Sequence, residues 1–126
     1  MSYITYEVKV FDSGTKVWHL NGERHREDGP AIEYSYGDKF WYLNGKIHRE
    51  DGPAIECSDG TKHWFLNDER HREDGPAIEY SNGTKEWYLN NTEYTEEEFN
   101  KEMSPTVEMT MAEIEEALGR KVKIIK

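Results

Sequence analysis

The string HREDGPAIE begins at His25, again at His48 and again at His71, so it recurs at one constant interval. A fixed period of this kind constrains the fold more than any composition can, because each unit is one supersecondary element that buries its faces against its neighbours. Gly14, Gly37, Gly60 and Gly83 each open a unit, the last of them truncated. Trp18, Trp41, Trp64 and Trp87 occupy one register position. His, Arg and two acids in sequence suggest chemistry, whereas three copies suggest a structural part.

Each unit holds two candidate strands. In Lys39–Asn44, Trp41 and Leu43 stand two apart and share a face. Asn21-Gly22 and Asn44-Gly45 close this strand with dipeptides suited to a tight turn at positive φ. The second strand is Ala-Ile-Glu-Tyr, as in Ala77–Tyr80, ending at a Gly-containing turn before the next unit. Two short antiparallel strands per unit predict a mainly β chain, an antiparallel meander of stacked hairpins.

The period, the Trp, the Asn-Gly turn followed by His and the closing Asp-Gly resemble the MORN repeat over about residues 14–90. That repeat has the same length and stacks as β-hairpins. MORN units carry a short Gly-x-Gly where this chain has Arg-Glu-Asp-Gly-Pro. The string is more similar to the MORN-variant repeats of bacteria and phages. The resemblance implies a hairpin-stack fold and leaves function open.

Apolar residues make up 35% and charged residues 33%, so a deep core is not expected. Aromatics at 13% exclude a disordered chain and favour a thin sheet packed on its own rings. The net charge is −10, and residues 1–90 carry 17 acidic against 11 basic side chains. Without a basic stripe, nucleic acid and anionic membranes are disfavoured as partners. No apolar stretch approaches the roughly 20 residues of a membrane helix, and Met1–Phe11 do not read as a signal peptide. Cys57 is the single cysteine, which fits a reducing compartment. A soluble, cytoplasmic protein is expected, in the host cytoplasm if phage-encoded.

Geometry argues against His-Arg-Glu-Asp as a reaction centre. With two strands per unit, His25, His48 and His71 should lie roughly 9–10 Å apart. Zinc–nitrogen bonds of about 2 Å forbid sharing one ion across that span. An active site needs unlike groups converging in a pocket, whereas a repeat spreads like groups along a line. No catalytic residue, metal or cofactor is therefore expected. Asp28-Gly29 supplies a turn with permissive φ, Pro30 stiffens entry to the second strand, and Arg26 with the acids Glu27 and Asp28 can form ion pairs along the stack.

Information then belongs at positions that vary between units. Flanking each Trp on the opposite face are Val17 and His19, Phe40 and Tyr42, His63 and Phe65, Glu86 and Tyr88. His19, Phe40, Tyr42, His63, Phe65 and Tyr88 form the candidate partner-binding row, with Glu33, Glu56 and Glu79 expected nearby. Exposed rings are enriched in binding surfaces. Packing of the row against the chain itself is the competing reading. An alternative ligand set is the cation cluster Arg24, Arg26, Lys46, Arg49, Arg70 and Arg72, suited to an anion.

Three divisions follow. Residues 1–13 form an N-terminal capping strand in which Ile4, Tyr6, Val8 and Val10 alternate with polar residues. Residues 14–94 form the repeat body, and 95–126 a small α/β cap. Thr95-Glu-Glu-Glu98 and Thr110-Met-Ala-Glu113 fit capping boxes, with Met111, Ile114, Ala117 and Leu118 as the second helix's apolar stripe. Gly119 stops that helix, Val122, Ile124 and Ile125 read as a last strand, and Val107–Met109 as its partner. The segment from Met109 to Lys126 also resembles a tail of small phage proteins.

The expected function is a non-catalytic binding protein, a phage accessory protein that engages or inhibits a host protein, host defence included, through a repeat face. The alternatives are a sponge for a small nucleotide signal in counter-defence and a structural assembly module. A homodimer through the first strand's edge or the aromatic row is a further expectation.

Overall fold

A computed structural model describes residues 5–104 and 111–119 of the chain. The first strand, β1 (Tyr6–Val10), pairs antiparallel with β2 (Lys16–Leu20). Two-residue strands follow: β3 (Glu23–Arg24), β4 (Ile32–Glu33), β5 (Lys39–Phe40), β6 (Tyr42–Leu43) and β7 (Lys46–Ile47). The pattern continues with β8 (Ile55–Glu56), β9 (Lys62–His63), β10 (Phe65–Leu66), β11 (Glu69–Arg70) and β12 (Ile78–Glu79). The body closes with β13 (Lys85–Leu89) and β14 (Thr92–Tyr94). One ten-stranded antiparallel sheet runs β1-β2-β4-β5-β8-β9-β12-β13-β14, with β3 also on β2; β6–β7 and β10–β11 are separate hairpins. The mainly β meander expected from the repeat is the observed architecture.

The register explains why Lys and Glu recur. Lys16 faces Glu33, which faces Lys39, and the line continues through Glu56, Lys62, Glu79 and Lys85. Opposite charges thus meet directly at every step, each such pair contributing about 0.2–1 kcal/mol. One position along, Val17, Ile32, Phe40, Ile55, His63, Ile78 and Glu86 form the adjacent line, on the other face. A slip of one residue would set apolar against charged groups throughout, so the pattern specifies the register.

The middle units contain four short strands rather than the two expected. The break falls at Trp41 and Trp64. Each Trp amide donates back into the main sheet, to the carbonyl of Ala54 or Ala77, at 2.8 and 2.7 Å. Its carbonyl instead accepts from His48 or His71, at 3.0 and 3.1 Å, so the chain changes partners there. The Asn-Gly reading holds: Asn21 and Gly22 have φ of 53° and 80°, Asn44 and Gly45 of 52° and 78°. Both central residues being left-handed is the turn geometry that matches strand twist.

The core is thin. Pro30, Ala31, Ile32, Ala54, Ala77, Ile78 and Phe99 are the buried apolar residues among those described, joined by His25 and Thr61. Helix α1 (Glu96–Met103) starts with the expected capping box and packs against β13 and β14, with Phe99 buried. Helix α2 (Met111–Leu118) ends at Gly119, whose φ is 68° and whose amide donates to the Glu115 carbonyl. Ile4, the Thr110 cap and the strands read at Val107–Met109 and Val122–Ile125 lie outside the described residues, as do the side chains of the second helix's apolar stripe. None of the described helices is long and apolar enough to cross a membrane.

Candidate functional site

The sheet has two unlike faces, and the HREDGP string belongs to one of them. On that face Arg26 lies over the Trp18 ring at 4.0 Å, Arg49 over Trp41 at 4.0 Å and Arg72 over Trp64 at 3.9 Å. Each guanidinium is further tied down inside its own unit. Arg49 Nε donates to Asp51 Oδ1 at 3.0 Å, and Nη1 donates to the Pro53 carbonyl at 3.0 Å and to Glu56 at 3.3 Å. Arg72 repeats all three bonds with Asp74, Pro76 and Glu79. Arg26 does so with Asp28 and Pro30, its contact with Glu33 being longer at 3.6 Å. The Asp28 carboxyl is held below the usual carboxylate range by its hydrogen bond to Arg26, whose charge adds to the effect.

Three expectations change here. Of the two acids expected to pair with Arg26, Asp28 does so, inside the unit, because the loop folds the guanidinium back onto its own Trp, whereas Glu27 faces His25 Nε2. Glu33, Glu56 and Glu79 stand on this Trp face, opposite Lys residues, and not beside the aromatic row. Gly29, Gly52 and Gly75 are required for space rather than for φ: none is among the left-handed glycines. A Cβ there would sit 2.9, 3.0 and 2.9 Å from the guanidinium carbon of Arg26, Arg49 and Arg72.

Histidine joins consecutive units. The amides of Asn44, Asn67 and Asn90 donate to Nδ1 of His25, His48 and His71 at 2.8, 3.1 and 2.9 Å. Accepting at Nδ1 leaves the proton of the neutral ring on Nε2, which points at Glu27, Glu50 and Glu73 at 3.2, 3.4 and 3.3 Å. Arg26, Arg49 and Arg72 amides add main-chain bonds to the carbonyls of Tyr42, Phe65 and Tyr88. The imidazoles are therefore rungs between repeats. Among the described residues no group of three or more His, Cys, Asp or Glu side chains is placed to hold a metal ion.

Between successive loops lie open grooves. One, of about 690 Å³, has Trp41 and Leu43 in its lining with Glu27, Asp28, Glu50 and Asp51 at its rims. The next, of about 630 Å³, repeats the arrangement with Trp64 and Leu66. The rim acids are mostly exposed, Asp28 and Asp51 at 86%.

The other face varies from unit to unit. Tyr42, Phe65 and Tyr88 are half-buried, as are His19, Phe40 and His63. Arg24 lies over Tyr42 at 5.5 Å, and Arg70 lies near both Phe65 and Tyr88, at 5.7 and 5.4 Å. Phe40 meets Tyr34 edge-on, Tyr34 stacks on Tyr36, and His63 meets Phe65 and Tyr80. Burial and the Arg70 charge hold the His63 ring below its ordinary pKa, against the pull of Glu86 and Asp59. Tyr88 donates to Glu86 and Glu93, and burial with those acids pushes its phenol up to about 12. Arg70 Nε is buried without a hydrogen-bond partner. Tyr34, Tyr36 and Tyr80 extend the aromatic surface beyond the six positions read from the sequence. Tyr34 and Tyr80 stand two residues beyond Ile32 and Ile78 and share their face by alternation, while Tyr36 lies in the Gly turn, where alternation gives no signal.

The six cations read as an anion cluster are divided by the fold. Arg26, Arg49 and Arg72 stand on the Trp face and Arg24 and Arg70 on the variable face, all five against rings, while Lys46 is exposed opposite Leu43. Comparison with family models, curated proteins and solved structures gave no match.

Proposed function

We propose that the chain is a non-catalytic binding protein that takes a partner protein on its variable aromatic face. The observation that carries this reading is the division between the faces. On the Trp face the recurrent Arg, Asp and Trp side chains are engaged with one another in every full unit. On the opposite face the side chain changes at each step, from His19 to Tyr42, Phe65 and Tyr88, and half-exposed rings stand beside cations. Rings and arginines of that kind are what interface hot spots are built from. The resemblance of the repeat to phage MORN-variant chains makes a bacterial host protein the partner class to test first.

The test is capture from a bacterial lysate with the intact chain and with Tyr42→Ala and Phe65→Ala, both checked for an unchanged far-UV spectrum. A stoichiometric protein band lost in both variants supports the proposal. A band unaffected by either variant overturns the assignment of the face. Mass spectrometry of the heat-released small-molecule fraction addresses the sponge: a released nucleotide in place of a protein band would favour that reading instead.

A further inference from the structure

We infer that the chain self-associates through β1, in a single antiparallel register centred on Val8. Among the described residues nothing pairs with the outer edge of this strand, which ends the sheet order. Its five residues are all exposed, Val8 by 46% and Val10 by 62%. Long, unbroken edges with apolar side chains are templates for a second strand. This self-association goes beyond the partner-binding reading above and uses a different surface.

The backbone says which residues face outward. The Phe11 amide donates to the Thr15 carbonyl at 2.9 Å, which closes the β1–β2 hairpin. Trp18, opposite Val8, donates away from β1, to Ala31 at 2.7 Å. Hydrogen-bonded and non-bonded pairs alternate in an antiparallel ladder. Glu7 and Lys9 therefore bond inward to His19 and Val17, while Tyr6, Val8 and Val10 direct their N–H and C=O groups to the open edge.

A second copy related by a two-fold axis pairs those outward residues with their own counterparts. Centring on Glu7 sets two carboxylates against each other, and centring on Lys9 sets two ammonium groups together. Centring on Val8 uses the whole strand. Val8 meets Val8 of the second copy, Tyr6 meets Val10 in both directions, and Glu7 meets Lys9 twice. Opposite charges directly across strands attract and like charges repel, so strand length and charge select the same register. Tyr6, Val8 and Val10 lie on the Trp face, where Tyr6 already lines a groove with Trp18, so pairing would continue both faces into the second copy.

A five-residue strand pair buries less than the about 1,200 Å² at the lower bound of standard interfaces, so weak association is expected. Sedimentation equilibrium up to about 200 µM covers that range. The intact chain should move from 14.9 kDa toward twice that mass as concentration rises. Glu7→Lys and Lys9→Glu should each weaken association by about fourfold or more, and the double exchange should restore it. Lys9→Glu also removes a contact over the Phe11 ring, so Glu7→Lys carries the test independently. Val8→Pro removes only an outward N–H and should leave a folded monomer by far-UV circular dichroism. The single-chain mass at every concentration would overturn the inference. So would folded single charge variants, or a folded Val8→Pro, that associate as the intact chain does, or a double exchange that stays monomeric.

Discussion

The two faces of this sheet are built from the same repeating unit and have opposite design. On the Trp face each side chain repeats because it is locked to its neighbours: a guanidinium over an indole, an Asp at its edge, a Gly that leaves it room. On the variable face only the size and flatness of the side chain recur, while its identity changes from His19 to Tyr42 to Phe65. A position that must satisfy several partners at fixed distance tolerates one residue, and a position that must only cover a sheet tolerates many. The fourth unit sharpens the contrast. It lacks the Arg loop, and its Trp87 pairs across strands with Tyr94 while α1 packs on β13 and β14.

That contrast predicts unequal responses to substitution. Arg49→Ala removes the stacking on Trp41 and leaves the Pro53 carbonyl and two acids without their donor, which should cost roughly 2–3 kcal/mol in urea unfolding. Gly52→Ala should cost about 1–2 kcal/mol by displacing that guanidinium. Combined with Arg49→Ala it should add almost nothing, because the glycine matters only while the arginine is there. Additive losses would instead assign Gly52 a backbone role. His48→Ala removes one rung between units and leaves the Asn67 amide without its acceptor. About 1–2 kcal/mol is expected, with amide exchange accelerating at Asn67 before the rest of the chain.

On the variable face, Tyr42→Ala and Phe65→Ala should each shift stability by less than about 1 kcal/mol, since the rings are half-exposed. Losses as large as those at Arg49 would make the row a packing element. The smallest effect concerns pH. Burial disfavours the His63 imidazolium, so the neutral ring contributes stability above its ordinary value near 6.5, and that contribution is lost as pH falls through its depressed folded value. A proton NMR titration should place its midpoint below 6.5. A midpoint at or above that value would show that Glu86 and Asp59 outweigh burial and Arg70.

The hairpin periodicity was legible because it depends on local rules. Asn21-Gly22 dictates a turn, Gly14 admits the positive φ at the other turn, and alternation of Trp and Leu sets a face. The Thr95 capping box was readable for the same reason, whereas the truncated fourth unit still closes a hairpin beyond Asn90, through β14 on β13. The role of HREDGP was legible only as architecture. Its Asp28-Gly29 has the look of a turn dipeptide, and nothing in the string says that an arginine four residues from a proline bends back to bond its carbonyl. Tyr80 shares the face of Ile78, as strand alternation predicts, and Tyr34 that of Ile32 in the same way. Tyr36 joined the aromatic surface unannounced, because the turn decides where its ring falls.

By itself, then, the order of residues determined that this is a stack of β-hairpins with two chemically different faces, since turn geometry and side-chain alternation act over a few residues. Tertiary structure alone decided which groups meet: Lys16 with Glu33, Arg49 with Trp41 and Glu56, His48 with the amide of Asn67. The first and last of these join residues well separated along the chain and depend on strand register. Arg49 reaches Trp41 and Glu56 within its own unit only because the loop folds back; no short window of sequence contains either.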